Sequence, residues 1–301
     1  MLYRAASGAK LKFPLSQFRL FIDHLTGHLI DGASMSSSTQ RSFHDRLSVS
    51  LIDHVARVHL ERPDRHNAMD PPMIDALLEV QRWLGERVGL RAVVLTGEGE
   101  SFCSGLDVAS VVASPERVAW LLTPDASGVN PAQRLALGWR DLGAPVVAAL
   151  HGHVFGAGLQ MALGADLRIV HPEATLALPE IEWGLMSDMA VSVTAAALRQ
   201  DVIQDLMLTG RHLAGDEAMV LGLASRLDED PREAALELAV SMARRSPKAV
   251  AAARRLWREA PRLDERGRLA MEAELQRNLL AGREQREATR ARLDGRPPRF
   301  D

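Results

Sequence analysis

The stretch PVVAALHGHVFGAGLQMALGADLRIV, residues 145–170, decides the fold. It reads as an apolar strand (PVVAAL), a glycine-rich loop (HGHVFGAG), a short apolar helix (LQMALGA) and a second strand (DLRIV). A continuous apolar run bounded by glycine marks a strand covered on both faces. Strand, loop, helix and strand in such close succession form an α/β unit with parallel strands.

The same grammar extends outward. Upstream, RAVVLTG (91–97) is another buried strand, and PPMIDALLEVQRWLGERV (71–88) carries apolar residues at helical spacing with Asp70 as its N-cap. SVSLI and VARVHLE flank Asp53–His54 as a hairpin. Downstream, ATLAL (174–178) is a short strand, and helices are expected at 201–209, 214–220, 231–260 and 264–290. The alternation predicts an α/β fold with a largely parallel sheet over residues 46–230. Residues 231–301 are expected to form a separate helical subdomain. Residues 1–45 differ from both: Phe18, Phe21, Ile22, Leu25 and Leu29 follow helical spacing, then comes the polar run GASMSSSTQRS. This segment is expected to be a loosely attached, disordered extension.

Composition narrows the function classes. Of 301 residues, 47% are hydrophobic and 25% charged, and the net charge is −3, so nothing global calls for nucleic acid or an anionic membrane. Aromatics at 4% leave no platform for single-strand stacking. No apolar run approaches the roughly 20 residues of a membrane span. Cys103 is the only cysteine, which points to a reducing, cytoplasmic setting. Charge is nonetheless uneven: residues 231–301 hold 17 Lys/Arg against 11 Asp/Glu, and residues 1–230 hold 19 against 28. A basic tail of that kind either attracts a polyanion or forms a solvated helical face.

Two loops can carry chemistry, GEGESFCSGLDV (97–108) and HGHVFGAGLQMALGAD (151–166), each directly after an apolar strand. Glycine lets backbone approach a ligand closely, and a helix N-terminus offers unpaired N–H groups. Converging, the loops would aim two donors at one oxygen, an oxyanion hole. Other readings fail on spacing. Gly156 and Gly158 are followed by Met161, so the dinucleotide fingerprint is absent. His151 and His153 lack further metal ligands at usable spacing, so no metal is expected. No G-x-S-x-G elbow is present, and Cys103 sits in an apolar context that suits packing over nucleophilic attack. EIEWGLMSD (180–188) adds three carboxylates, Glu180, Glu182 and Asp188.

Taken together, RPDRHNAMD (62–70), FCSGLDV (102–108), the 144–185 stretch, LTGRHLAGDEAMVLGLASRL (208–227) and the closing GRPPRF resemble the enoyl-CoA hydratase/isomerase (crotonase) superfamily over about residues 46–301. The resemblance implies a spiral of ββα turns followed by helices that build homotrimers or hexamers. It implies an acyl-CoA thioester substrate and no other cofactor, with CoA arriving as part of the substrate. The oxyanion donors would be the N–H groups of Leu106, after Gly105, and of Ala157, after Gly156. Arg65, His66 and Ala68, beside Asn67, would line the CoA loop, and Lys248 or Arg254 would reach its phosphates or those of a neighbouring subunit's CoA.

The hydratases of this superfamily use two glutamates; the second matches Glu180, but the first matches Gln160, an amide that exchanges no proton near neutral pH. Gln160 is expected to hold a water or substrate. The isomerases acting on dienoyl-CoA pair a glutamate with an aspartate eight residues later, as Glu180 and Asp188 stand here. Isomerisation is therefore preferred over hydration, with Trp183, Leu185 and Met186 supplying apolar surroundings that raise a carboxyl pKa. Asp188 has a second expected role as a helix N-cap, and Glu182 is expected in solvent. Two rivals stay open: an aspartate-nucleophile hydrolase of the dehalogenase kind using Asp188, and an acyl-CoA-binding protein weakened by Gln160. Neither nucleic acid nor a membrane is an expected partner.

Overall fold

The computed structural model describes residues 39–300, so the helical spacing from Phe18 to Leu29 lies outside the described residues. The strands β1 (Thr39–Phe43), β2 (Leu47–Ile52) and β3 (Val55–Leu60) form an antiparallel meander. Asp53 and His54 both take positive φ, 47° and 71°. Two such residues make the hairpin turn whose twist matches its flanking strands, and the expected hairpin closes in the register Ile52↔Val55. One boundary moves: β1 pairs with β2 along its whole length, so the sheet starts at Thr39 and not at residue 46.

Further along the chain come β4 (Ala92–Gly97), β5 (Val146–Leu150), β6 (His153–Phe155), β7 (Leu167–Val170), β8 (Thr175–Ala177), β9 (Leu213–Ala214) and β10 (Arg226–Leu227). The main sheet runs β1-β2-β3-β4-β5-β7-β10, parallel from β3 onward, and a small sheet runs β6-β8-β9. Between them lie α1 (Pro71–Gly85), α2 (Val108–Val112), α3 (Pro115–Leu122), α4 (Pro131–Asp141), α5 (Ala157–Leu163), α6 (Val191–Thr194), α7 (Gln200–Thr209) and α8 (Gly215–Val220). The tail holds α9 (Pro231–Ala243), α10 (Pro247–Glu259), α11 (Glu265–Leu279) and α12 (Arg283–Leu293). The pairs β5–β6 and β7–β8 each place one strand in the main sheet and the next in the small sheet, as the expected spiral requires.

The core explains the strand composition. β4 is buried throughout, as a sheet covered on both faces requires. On one face, Met73, Ile74 and Leu77 of α1 pack with Trp139 of α4 and Leu159 of α5. Asp70 caps α1 as expected, its Oδ1 accepting from Met73 N at 2.9 Å, a contact worth about 1 kcal/mol. On the other face, Ala235, Ala239 and Ala243 of α9 lie against Val94, Val147 and Ala149. Four-residue spacing puts these small side chains in one stripe, so the helix can approach the sheet closely. Residue 231 is therefore no domain boundary, because the first tail helix completes the core.

The chain's end is fastened to the N-terminal ends of the strands. Arg91 Nη2, at the start of β4, donates to Phe300 O at 2.6 Å. Arg254 Nε grips both oxygens of Asp166 at 2.9 and 3.0 Å, and Asp166 Oδ2 accepts from Val146 N at the start of β5. The glycine-rich loops leave from the opposite ends of these strands.

Candidate active site

Backbone pairing brings the two loops together. Cys103 N donates to His153 O at 3.1 Å and Phe155 N donates to Cys103 O at 3.0 Å, a parallel bridge centred on Cys103 and Val154. Beyond it, Gly105 takes φ +102°. A Cβ there would stand 2.9 Å from Phe155 O and 3.6 Å from Ala157 N. Only glycine allows this approach. Met69 N donates to Gly105 O and Asp107 N to Met69 O, which flanks Leu106 and leaves its N–H free. Ala157 opens α5 behind Gly156, where no side chain caps the helix. Among the described residues neither the Leu106 nor the Ala157 N–H has a hydrogen-bond partner. Two unpaired amides on touching segments can polarise a single carbonyl oxygen.

Glu180 stands beside this pair. It lies on a 3-10 turn, Pro179–Trp183, directly after β8. A Cβ on Gly156 would be 2.9 Å from Glu180 Oε1, so the carboxylate borders the first turn of α5. Gln160 Nε2 donates to Oε1 at 2.7 Å and Ser187 Oγ donates to Oε2 at 2.9 Å. Burial raises the Glu180 pKa; its own backbone N–H, Ser187 and Gln160 oppose that rise, and the Asp188 charge adds to it.

Gln160 corrects one expectation. It is 1% exposed, and its Oε1 accepts from Met189 N at 2.8 Å while its Nε2 holds Glu180. Both ends of the amide are engaged within the protein, so it positions Glu180 and the 187–189 loop. Asp188 corrects another. Helix α6 starts at Val191 with Ala190 as its N-cap and no capping side chain, so Asp188 caps nothing. Its side chain reaches the surface, yet the protein packed about its carboxyl raises the pKa by desolvation, opposed by its own backbone N–H. Trp183, Leu185 and Met186 are 66%, 54% and 65% exposed. They face outward, so the body of the protein desolvates the carboxyls. Glu182 is exposed, as expected.

The loop at residues 62–70 packs against the same region. Arg65 ends a 3-10 turn, and its exposed guanidinium has no partner among the described residues. His66 has φ 48° and pairs through Nδ1 with Ser101 Oγ at 3.0 Å. Asn67 is fully buried: Oδ1 accepts from Arg62 N, and Nδ2 donates to Glu98 O and Ser101 O. It fastens the loop and cannot reach a ligand. Sequence reading missed Arg62 altogether. Its guanidinium donates to Ala68 O and to Asp107 Oδ2, both at 2.9 Å, and lies 3.4 Å from Asp70 Oδ2. Burial would raise the Asp107 pKa, but hydrogen bonds from Arg62 and Ser110 hold it low. This ion network ties the loop to the residue after Leu106. Charge spacing alone, with Arg62 and Asp70 bracketing one loop, was the available signal.

Other candidates fall away. The Cys103 thiol is buried, donates to Asn67 O at 3.2 Å and has its pKa pushed up to about 12 by burial, so it packs and does not attack. Lys248 and Arg254 belong to the tail at the other end of the sheet, so neither meets this site within the chain. Among the described residues no three His, Cys, Asp or Glu side chains gather as metal ligands, and no helix is long and apolar enough to cross a membrane.

Comparison with known proteins shows the family. The family model described as Enoyl-CoA hydratase/isomerase matches residues 52–301. The chain is 32% identical over 214 residues to a carnitinyl-CoA dehydratase of Proteus mirabilis, covering 69% of this chain and 78% of the relative. It is 28% identical over 236 residues to the mitochondrial Delta(3,5)-Delta(2,4)-dienoyl-CoA isomerase of Homo sapiens, covering 73% and 70%. The crystal structure of an enoyl-CoA hydratase from Bacillus anthracis superposes with a TM-score of 0.76 at 25% identity, over 85% of this chain and 98% of that one. Identity to the dehydratase and to the isomerase differs little, so the acid–base groups must decide between reactions.

Proposed function

The chain belongs to the enoyl-CoA hydratase/isomerase family, and from that premise we propose that it is an acyl-CoA isomerase of the dienoyl-CoA type. The Leu106 and Ala157 N–H groups hold the thioester oxygen as it gains enolate charge. Glu180 removes a proton from the acyl chain and Asp188 delivers one further along. One observation carries the preference over hydration: Gln160, an amide held at one end by Glu180 and at the other by Met189, leaves no second acid beside Glu180 at that position. The raised pKa of both Glu180 and Asp188 suits proton transfer near neutral pH. Arg65, His66 and the Ala68 backbone supply the CoA loop, with Arg65 free to meet a phosphate. The reaction needs no cofactor beyond the CoA of its substrate. Exposed Trp257, Leu269 and Leu293 on the tail helices suit self-association as a trimer or hexamer.

The test follows ultraviolet absorbance with a 3,5-dienoyl-CoA and, separately, a 2-enoyl-CoA. Diene absorbance that shifts with wild type and is lost with Asp188→Asn supports isomerisation. Loss of enoyl absorbance that Asp188→Asn leaves untouched assigns hydration and removes Asp188 from the chemistry. The dehalogenase-like reading would require a covalent adduct on Asp188, and Glu180 beside the hole speaks against it.

A further inference from the structure

The 62–70 loop is zipped along its length to the segment that carries Leu106. The Cys103 thiol donates to Asn67 O, Ser104 N to His66 O, Met69 N to Gly105 O and Asp107 N to Met69 O. Met69 and Leu106 form a parallel bridge in that register, so a shift of the loop carries the Leu106 N–H with it. The zip ends one residue past Leu106, at the 3.0 Å bond from Asp107 N.

Arg62 clamps that end. From the start of the loop its Nη1 donates to Ala68 O and its Nη2 to Asp107 Oδ2, both at 2.9 Å. One planar, rigid fork thus spans the residue before Met69 and the residue after Leu106. The Arg62 side chain is 15% exposed and that of Asp107 22%, so solvent screens the pair little. The Arg62 Nε lies 3.4 Å from Asp70 Oδ2. Asp70 is itself fixed, by Arg46 Nε at 3.2 and 3.0 Å and by its cap on α1, which ties the fork to a helix packed in the core. On the outer side of the same loop Arg65 is exposed.

From the proposed function, on which this step rests and in which Arg65 and His66 meet CoA, we infer that Arg62 is a positioning residue. It couples capture of CoA by the loop to the alignment of the Leu106 N–H on the thioester oxygen. The nucleotide end of the substrate is remote from the reacting carbons. Its binding nevertheless raises kcat as well as affinity, because the loop it settles carries the donor. A misplacement of about 1 Å at a reacting group costs on the order of a hundredfold, so a small freedom at Asp107 is enough to matter.

Infrared difference spectra of the full chain with hexanoyl-CoA, isotopically labelled at the thioester carbonyl, read that alignment without turnover. Wild type is expected to move the carbonyl stretch to lower frequency, and Arg62→Gln to lose the shift while still binding hexanoyl-CoA. Kinetics on a 3,5-dienoyl-CoA and on the matching N-acetylcysteamine thioester, which lacks the nucleotide, complete the test. Arg62→Gln should lower kcat on the CoA thioester by about ten- to a hundredfold and leave kcat on the truncated one within about twofold. A general loosening of the fold would lower both alike. Adding Asp107→Asn should make Arg62→Gln no worse, as two residues acting as one unit require. An equal carbonyl shift in wild type and Arg62→Gln, equal kcat losses on both thioesters, or an unshifted carbonyl in wild type overturns the coupling. A shift that wild type shows and Arg62→Gln loses, with no turnover of the dienoyl-CoA, upholds the coupling and fails the isomerase reading instead. If circular dichroism shows Arg62→Gln unfolded, Asp107→Asn alone carries the same test, because asparagine still caps α2 in place of the Asp107 carboxylate that now accepts from Ser110 N.

Discussion

Replacing Gln160 with glutamate would set a second carboxylate where an amide nitrogen now stands 2.7 Å from Glu180 Oε1. The site is buried, with Gln160 1% exposed, so water screens little. Two like charges about 4 Å apart repel by about 4 kcal/mol at the effective dielectric of about 20 that suits protein sites. That repulsion corresponds to nearly a thousandfold in proton affinity, and the pair must hold one proton between them. The sign follows from linkage. A carboxyl whose folded-state pKa lies above its unfolded value is fully stabilising only below the unfolded value, and that stability drains away as pH rises through the folded one. The variant should therefore approach wild-type stability near pH 5 and fall behind by about 3–4 kcal/mol near pH 8. Urea denaturation midpoints of both proteins across that range measure the difference. A stability gap that stays flat with pH would refute the placement of Gln160 against Glu180. The same variant, holding one ionised and one protonated carboxyl beside the proposed oxyanion donors, should also gain hydration of a 2-enoyl-CoA.

Ser187→Ala removes a donor from Glu180 Oε2, which further raises a pKa already raised by burial; the acidic limb of kcat/KM against pH should move to higher pH, and an unmoved limb would separate Ser187 from the base. Gly105→Ala puts a methyl 2.9 Å from Phe155 O at φ +102°, so melting and kinetics should show a stability loss of about 1–3 kcal/mol with a larger fall in kcat than in substrate affinity. Cys103, with a pKa near 12 and full burial, should resist iodoacetamide at mildly alkaline pH in the native state and react once urea unfolds the chain; rapid native labelling would contradict the packed position.

Much of this was legible before any coordinates. The apolar runs of β4 and β5, the Asp53–His54 turn and the Asp70 cap are local signals, and each appears where its residues predict. The glycine loops could be read because Gly105 and Gly156 have few other uses directly after a buried strand. What escaped depends on contacts far apart in sequence. Gln160 reads as an amide in place of an acid, and nothing local reveals that Met189 N, 29 residues on, occupies its other end. Asn67 belongs to a loop that cradles a ligand by resemblance, yet three backbone partners draw its own side chain inward. The alanine stripe of α9 is visible in the sequence, but only the second face of the sheet, which α9 itself covers, explains why those alanines leave the tail for the core.

The bridge between Cys103 and Val154 has a further consequence. Leu106 lies three residues past one bridged residue and Ala157 three past the other, so the two proposed donors are counted off on arms of equal length from a common origin. Because backbone groups serve as donors, the side chains on those arms are free to vary in kind, but the number of residues is not. One inserted or deleted residue would slide a single donor by about 3.3 Å, a full hydrogen-bond length. Lineages of this fold can thus rewrite these loops letter by letter, whereas a change in their length would silence the proposed oxyanion hole while leaving the sheet beneath it intact.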